Sequence, residues 1–368
     1  MKTKVLRLDI DINRRIIVIS DIHGNLSLFK SLLDKIKFNN DDYLFIDGDI
    51  IEKSNTNILM LDYIMALSEK PNVYVLCGNC DDVMLHLIPP VDENLIRFYA
   101  LKRPKTIINE FAGLLNVKID DSTNINDLCK DFYQNFRKYF DFIESLPHLA
   151  ILNDKLAICH GGIDDLDNIS EEAIDLMKYD DFYSRDIKLK MPLIVGHFPT
   201  INYDEKIPSI SPVIDLNKNI ISIDGGNNLV PWSMLNALII SNLKDFKISY
   251  DYQDEYKKIR VKEDNINNVT DLYNITKKPI FIDLLEEIGD YFLVKTNDNH
   301  KLYILKENII YSKEFDRTMA YNGFNYFIDV KKGDLVSLVF KRKPYSIVKK
   351  DGIIGLIDSN KLDWSFYE

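Results

Sequence analysis

The chain has 368 residues, and 46 Lys+Arg against 57 Asp+Glu leave it a formal charge of −11. Apolar residues at 46% and charged residues at 28% are globular proportions, which exclude a mostly disordered chain. The acidic balance argues against a generic grip on nucleic acid, and no apolar run reaches the roughly 18 residues that a membrane helix needs.

The N-terminal stretch MKTKVLRLDIDINRR alternates charged and apolar residues and lacks a hydrophobic signal core. Four cysteines without a secretory pattern do not make a disulfide framework, so a soluble, cytoplasmic protein is expected. Arg15–Ser20 (RIIVIS) reads as a buried, β-branched strand, followed by the turn Asp21-Ile22-His23-Gly24-Asn25. Leu26, Phe29, Leu32, Leu33 and Ile36 then recur at helical spacing. Tyr43–Asp47 is the next strand, ahead of Gly48-Asp49 and a helix-like run from Asn57 to Leu67. Val73–Cys77 is a third, running into Gly78-Asn79-Cys80-Asp81. Strands alternating with helices predict an α/β class with a largely parallel sheet.

Residues 82–148 break this rhythm and read as a helical insertion, which would serve either as packing or as a cap over a site. Strands return at Lys155–Cys159 before His160-Gly161-Gly162, and at Leu193–Val195 before Gly196-His197. Ile220–Ile223, Leu235–Ile240 and Phe246–Tyr250 complete a first region spanning 1–252. The polar, charged stretch 253–272 suits a linker. Beyond it, residues 273–368 carry short alternating segments, with turn signals at Lys331-Lys332-Gly333-Asp334 and Asp351-Gly352. This tail is expected to be all-β, built as one or two small barrels.

The polar turns share a composition that ordinary loops do not need. Asp21 and His23, Asp49, Asn79, His160 and His197 each follow a predicted strand, so all can converge at the carboxyl edge of one sheet. Carboxylate, imidazole and amide oxygen together suit Mn²⁺, Fe or Zn²⁺ better than Ca²⁺ or a thiophilic ion. Asp21 and His23 are two apart, so one strand end can present both, and Asp49 is placed to bridge two ions. Two such cations form a clamp for in-line displacement at phosphorus, polarising its oxygens and acidifying a shared water.

The series DIHGN (21–25), GDIIEKS (48–54), GNCD (78–81), HGG (160–162) and GHFPT (196–200) resembles the calcineurin-like metallophosphoesterases. The nearest likeness is to the phosphoprotein phosphatase branch, which includes serine/threonine phosphatases and diadenosine tetraphosphate hydrolases. It covers roughly residues 15–250. The resemblance implies a four-layer α/β/β/α sandwich and two divalent ions, with Mn²⁺ favoured. Asp21 and His23 would hold the first ion, Asn79, His160 and His197 the second, and Asp49 both. The catalytic set implied is Asp49, Lys53, Cys80 and Asp81.

Three departures bear on that set. Cys80, followed by Asp81, stands where the family has a histidine acting as general acid, so Cys80 or a water would protonate the leaving oxygen. Glu52-Lys53-Ser54 and Cys77 occupy positions where the family carries phosphate-gripping arginines, and Lys53 offers charge without a bidentate fork. A further arginine is expected near Tyr179, where Lys178 and Arg185 are the nearest cations. Cys77 and Cys80 also form a lone CxxC, the pattern of a redox pair or of half a zinc site.

The reaction expected is hydrolysis of a phosphoprotein monoester by metal-bound hydroxide. A nucleotide phosphodiesterase or dinucleoside polyphosphate hydrolase is the alternative, and a non-catalytic binding scaffold is the alternative of another class. The tail resembles a bacterial SH3-type barrel. Its run Lys331, Lys332, Lys341, Arg342, Lys343, Lys349 and Lys350 against Asp334 offers either a solvated face or a site for a protein or anionic partner.

Overall fold

The structure is a computed structural model that describes residues 1–275 and 278–366. It divides into two compact units, one formed by Met1–Pro199 and Pro212–Asp254, the other by Thr200–Ser211 and Glu255–Glu368.

The first unit opens with β1 (Val5–Leu8) and β2 (Ile16–Ile19), followed by α1 (Leu26–Lys35), β3 (Tyr43–Asp47), α2 (Asn57–Ser68) and β4 (Val73–Leu76). A single turn, α3 (Asn79–Asp82), leads to α4 (Glu93–Lys102), α5 (Ile107–Leu114), α6 (Ile125–Asn135) and α7 (Arg137–Ser145). The expected helical insertion is therefore four helices. The chain continues through β5 (Leu149–Leu152), β6 (Leu156–Ile158), α8 (Ile174–Met177), β7 (Leu193–Val195), β8 (Val213–Asp215), β9 (Ile220–Ser222), β10 (Leu235–Ile240) and β11 (Ile248–Gln253).

These strands form two mixed sheets, ordered β11-β10-β2-β3-β4 and β1-β5-β6-β7-β9-β8. Strands β2, β3 and β4 run parallel, as do β6, β7 and β9. The strand–helix rhythm by itself reads as one sheet; two are present, the number that the family resemblance implies. The reason lies in the period-2 alternation of strands whose two faces are both buried. Ile16 and Val18 pack with Phe45, Leu76, Leu152, Ile158, Ile194 and Ile221 in one apolar cluster shared by both sheets. Ile17 and Ile19 point the other way, into a cluster with Phe29 and Leu32 of α1 and Met60, Leu61 and Ile64 of α2. On the second sheet, Leu193 and Val195 turn outward against Leu176 and Phe182. A continuous apolar run looks identical whether one sheet or two lie beneath it.

Among the described residues of the second unit, the strands pair antiparallel, with one isolated parallel bridge between Phe327 and Leu356. The unit contains β12 (Lys258–Val261), β13 (Asn274–Ile275), β14 (Ile280–Ile288), β15 (Tyr291–Thr296), β16 (Lys301–Leu305), β17 (Ile309–Ser312) and β18 (Arg317–Ala320). Then come β19 (Gly323–Phe324), β20 (Leu335–Phe340), β21 (Tyr345–Lys350), β22 (Ile353–Asp358) and β23 (Leu362–Asp363). They form sheets ordered β22-β21-β20-β12-β23 and β13-β19-β16-β15-β14-β18-β17. Asp351 (φ 51°) and Gly352 (φ 79°) supply the left-handed pair that a tight hairpin needs between β21 and β22.

Two expectations for this region change. Within the stretch read as a linker, β12 pairs with both β20 and β23, because Ile259 and Val261 are apolar at alternate positions and both are buried. The basic run is not one solvated face. Lys349 is buried over the Tyr256 ring, Lys350 pairs with Asp334 at 2.6 Å, and Arg342 pairs with Glu307 at 2.7 Å.

Candidate metal centre

The turns that follow β2, β3 and β4 on one sheet, and β6 and β7 on the other, meet in a buried polar cluster. His197 N–H donates to Asp21 Oδ2 at 3.1 Å, joining the turn after β7 to the turn after β2. His160 Nε2 stands 3.2 Å from Asp49 Oδ1, joining β6 to β3. Within the first sheet, Asp21 N–H donates to Gly48 O at 3.1 Å and His23 N–H to Asp49 O at 2.9 Å. Cys80 N–H donates to Asp49 Oδ1 at 2.8 Å. A Cβ on Gly78 would lie 2.2 Å from Asp49 N, so only glycine admits this approach.

The backbone is strained here. Asp21, His23, Asp49, Lys53 and His197 all have φ between 48° and 65°, a region that costs a residue with a side chain roughly 1–3 kcal/mol. Such conformations persist where the surroundings over-determine them, and they concentrate at functional sites.

Among the described residues, two groups of three donors lie with their ligating atoms within 4.8 Å of one another: Asp21, Asp49 and His160, and His23, Asp49 and Cys80. Asp49 belongs to both. Five aspartates, at 21, 47, 49, 81 and 224, are buried around the cluster. Burial and the neighbouring Asp224 hold the Asp21 carboxyl well above the usual range. Burial also pushes Asp49 up, but the His160 imidazole overcomes it and leaves this carboxyl well below normal. Burial and Lys53 push His23 down to about 3, so its ring is neutral and its Nε2 lone pair is available. Burial opposes charge on His160, yet Asp49 and Asp21 raise it well above 6.5. The carboxylates thus draw in the nearest cations, which is the electrostatics of a site for positive ions.

Other observations fit the cluster to metal ions. Asp21 Oδ1 is buried and accepts no hydrogen bond among the described residues. His160 Nδ1 faces the Asp47 carbonyl at 2.7 Å and His23 Nδ1 faces the Ile51 carbonyl at 3.2 Å, so each ring's Nε2 is turned toward Asp49. A second-layer carbonyl on the far nitrogen is the usual support for a ligating histidine. With its amide turned to satisfy both ends, Asn79 donates from Nδ2 to His197 Nδ1 at 2.8 Å and accepts from Cys80 N–H at 3.2 Å. Turned the other way, its oxygen and the His197 nitrogen would face one another as two acceptors, an arrangement that a cation between them resolves.

The structure therefore brings Asp21, His23, Asp49, Asn79, His160 and His197 together, along with Cys80 and Lys53. Lys53 Nζ lies 3.0 Å from His23 Nε2 and 3.7 Å from Cys80 Sγ. Asp81 stands apart in kind. Its Oδ1 accepts from Ile50 N–H at 2.8 Å and Ile51 N–H at 3.2 Å, and its Oδ2 from Gly78 N–H at 2.9 Å. Its carboxylate shapes the Asp49 turn. Arg185 is held by Asp164 at 2.9 Å. Sequence reasoning missed Asp180, which meets His197 Nε2 at 2.8 Å, and the second-layer carbonyl of Asp47. Asp180 lies in an irregular polar segment with no periodic signal, whereas Asp47 ends a strand at the same edge as the named turns.

Residues 14–215 match the calcineurin-like phosphoesterase family. The symmetrical bis(5'-nucleosyl)-tetraphosphatase of Wigglesworthia glossinidia brevipalpis is 43% identical over a match covering 38% of this chain and 61% of that protein. The enzyme of the same description from Buchnera aphidicola subsp. Acyrthosiphon pisum (strain 5A) is 32% identical, with 29% of this chain and 40% of its own length covered. The chain thus spans less than two thirds of these relatives. A solved serine/threonine phosphatase from Saccharomyces cerevisiae aligns over 69% of this chain and 84% of its own, at a TM-score of 0.41 and 13% identity. The chain belongs to the calcineurin-like phosphoesterase family.

Proposed function

We propose that this calcineurin-like phosphoesterase is a metal-dependent hydrolase of phosphate esters that works with two divalent cations. The observation that carries the reading is the pair of buried three-donor groups sharing Asp49. The family resemblance divides the donors differently from these two groups, with Asp21, His23 and Asp49 on one ion and Asp49, Asn79, His160 and His197 on the other; His23 Nε2 stands 3.9 Å from Asp21 Oδ1 and 3.8 Å from Asp49 Oδ2. Ions there would supply Lewis-acid polarisation of the phosphoryl oxygens and acidify a water. Mn²⁺, Fe and Zn²⁺ all suit these donors.

The chain's own residues supply the rest. Lys53, buried among acidic groups that keep its ammonium charged, would attract the phosphoryl group as a point charge. Cys80 or a water would protonate the leaving oxygen. Asp81 would fix the Asp49 turn through its three backbone hydrogen bonds.

For the substrate, we favour a dinucleoside polyphosphate over a phosphoprotein. The matched stretches of the tetraphosphatase relatives support it, and Lys53 alone replaces the arginine pair expected to grip a monoester. The serine/threonine phosphatase reading rests on the Gly-His-Phe-Pro turn, where Pro199 stands as in that branch. We further read the first unit as a four-layer α/β/β/α sandwich and the tail as SH3-like, supported by the apolar cluster between the two sheets and by the short antiparallel strands. No described helix is long and apolar enough to cross a membrane, and four unpaired, buried cysteines suit a reducing compartment such as the cytoplasm.

Metal-stripped protein given Mn²⁺ or Zn²⁺ should hydrolyse diadenosine tetraphosphate faster than a phosphoserine peptide. Asp49→Asn should lose more than about 100-fold, since even outer-shell partners cost roughly 10–100-fold. Turnover that survives the substitution refutes the mechanism, and metal binding without turnover on any ester favours the scaffold reading.

A further inference from the structure

We infer that Cys80 is a metal ligand, its thiolate joining His23 Nε2 and an Asp49 carboxylate oxygen around one divalent cation. The inference rests on the two-ion reading above and goes beyond it, because that reading treats Cys80 as a proton donor or a bystander.

The geometry points to this role in three ways. The sulfur, the imidazole nitrogen and the carboxylate oxygen lie within 4.8 Å of one another, and all three residues are buried. Two of the donors already face a cation, since Lys53 Nζ sits 3.0 Å from His23 Nε2 and 3.7 Å from Cys80 Sγ. Independently, Asp21 Oδ1, buried and accepting no hydrogen bond among the described residues, lies 3.9 Å from the same His23 nitrogen. A buried carboxylate oxygen left without a donor beside that nitrogen makes its surroundings a place for a cation. Lys53 reaches it on a flexible four-carbon stem, so its ammonium can withdraw as an ion enters.

The bond change is simple. The sulfur–metal bond forms as the S–H bond breaks, the proton leaves to solvent, and no electron is transferred. With its lone pair engaged, Cys80 has no proton to give a leaving group, and that task falls to water. A thiolate also softens the donor set, moving its preference from Mn²⁺ toward Zn²⁺.

The test is titration of the metal-free, full-length chain with Co²⁺, followed by absorption and equilibrium dialysis. Bound Co²⁺ should bring a near-ultraviolet thiolate-to-cobalt charge-transfer band. That band should persist in Cys77→Ser and vanish in Cys80→Ser and Cys80→Ala. Zn²⁺ affinity should fall at least about tenfold in these variants, with Mn²⁺ affinity changing less. Co²⁺ bound by the unaltered chain without the band, or a band that survives loss of Cys80, overturns the inference while leaving the two-ion centre standing. Dialysis that finds no bound Co²⁺ overturns both.

Discussion

Asp49 and Asp81 are both buried aspartates on neighbouring turns, yet their carboxylates meet different partners. Asp49 faces imidazoles and a thiol, whereas Asp81 accepts three backbone N–H groups. Asp81→Asn keeps one acceptor oxygen and sets an NH2 against a backbone N–H, a loss of about 1–3 kcal/mol. Thermal stability and metal affinity should therefore fall together; a drop in affinity at unchanged stability would mean that Asp81 acts on the ions directly. Glu52 supplies the pH prediction. Burial pushes its carboxyl up to about 7, against the favourable Ile107 N–H at 2.9 Å. A raised folded-state pKa means that the fold prefers the protonated form. This contribution is complete below the ordinary range near 4.5 and is lost as pH rises through about 7. Glu52→Gln, which keeps the acceptor and cannot ionise, should gain on the unaltered protein across that window, by on the order of 3 kcal/mol at its upper end. Equal pH dependence of metal-free urea melts would refute the assignment.

At the scale of elements, the helical insertion is tied to the sheet region by a cap. Helix α2 begins at Thr56, whose side chain makes no capping bond. Glu110 of α5 takes over, accepting from Asn57 N–H at 2.7 Å and Ile58 N–H at 3.0 Å. Its negative charge also suits the N-terminal end of the helix dipole. Helices α1, α4, α5 and α6, by contrast, each carry their own Asn, Asp or Thr cap. Glu110→Ala should cost about 1–2 kcal/mol in chemical denaturation. A change within a few tenths would mean that water replaces the cap without loss. That α2 starts near Asn57 was legible from its apolar run; that its cap comes from residue 110 was not, because the partner lies 53 positions away.

For the molecule as a whole, the buried negative charge around Asp49 makes stability conditional on bound cations. A cation that binds only the folded chain stabilises it by about 2.7 kcal/mol at a hundred times its dissociation constant. Mn²⁺ or Zn²⁺ should therefore raise the melting temperature, and chelation should reverse the rise. Mg²⁺, which favours oxygen donors and keeps its waters, should do much less. A melting temperature indifferent to all three would remove the cation site from the account.

What the sequence determined by itself were the features that local chemistry dictates. Apolar runs such as RIIVIS and YLFID became strands, the spacing of Leu26 to Ile36 became a helix, and the turns after β2, β3, β4, β6 and β7 carried donors that the fold gathers. Those residues were legible because strand ends and their polar turns are adjacent in the chain. Tertiary structure alone decided which strands share a sheet and which groups meet across it. His160 reaches Asp49 from the other sheet, Asp180 meets His197, Asp81 turns to the backbone rather than the cluster, and Cys80 falls in with His23. Burial on both faces makes the strands of two sheets read alike, and pairings between distant positions leave no periodic trace in the chain.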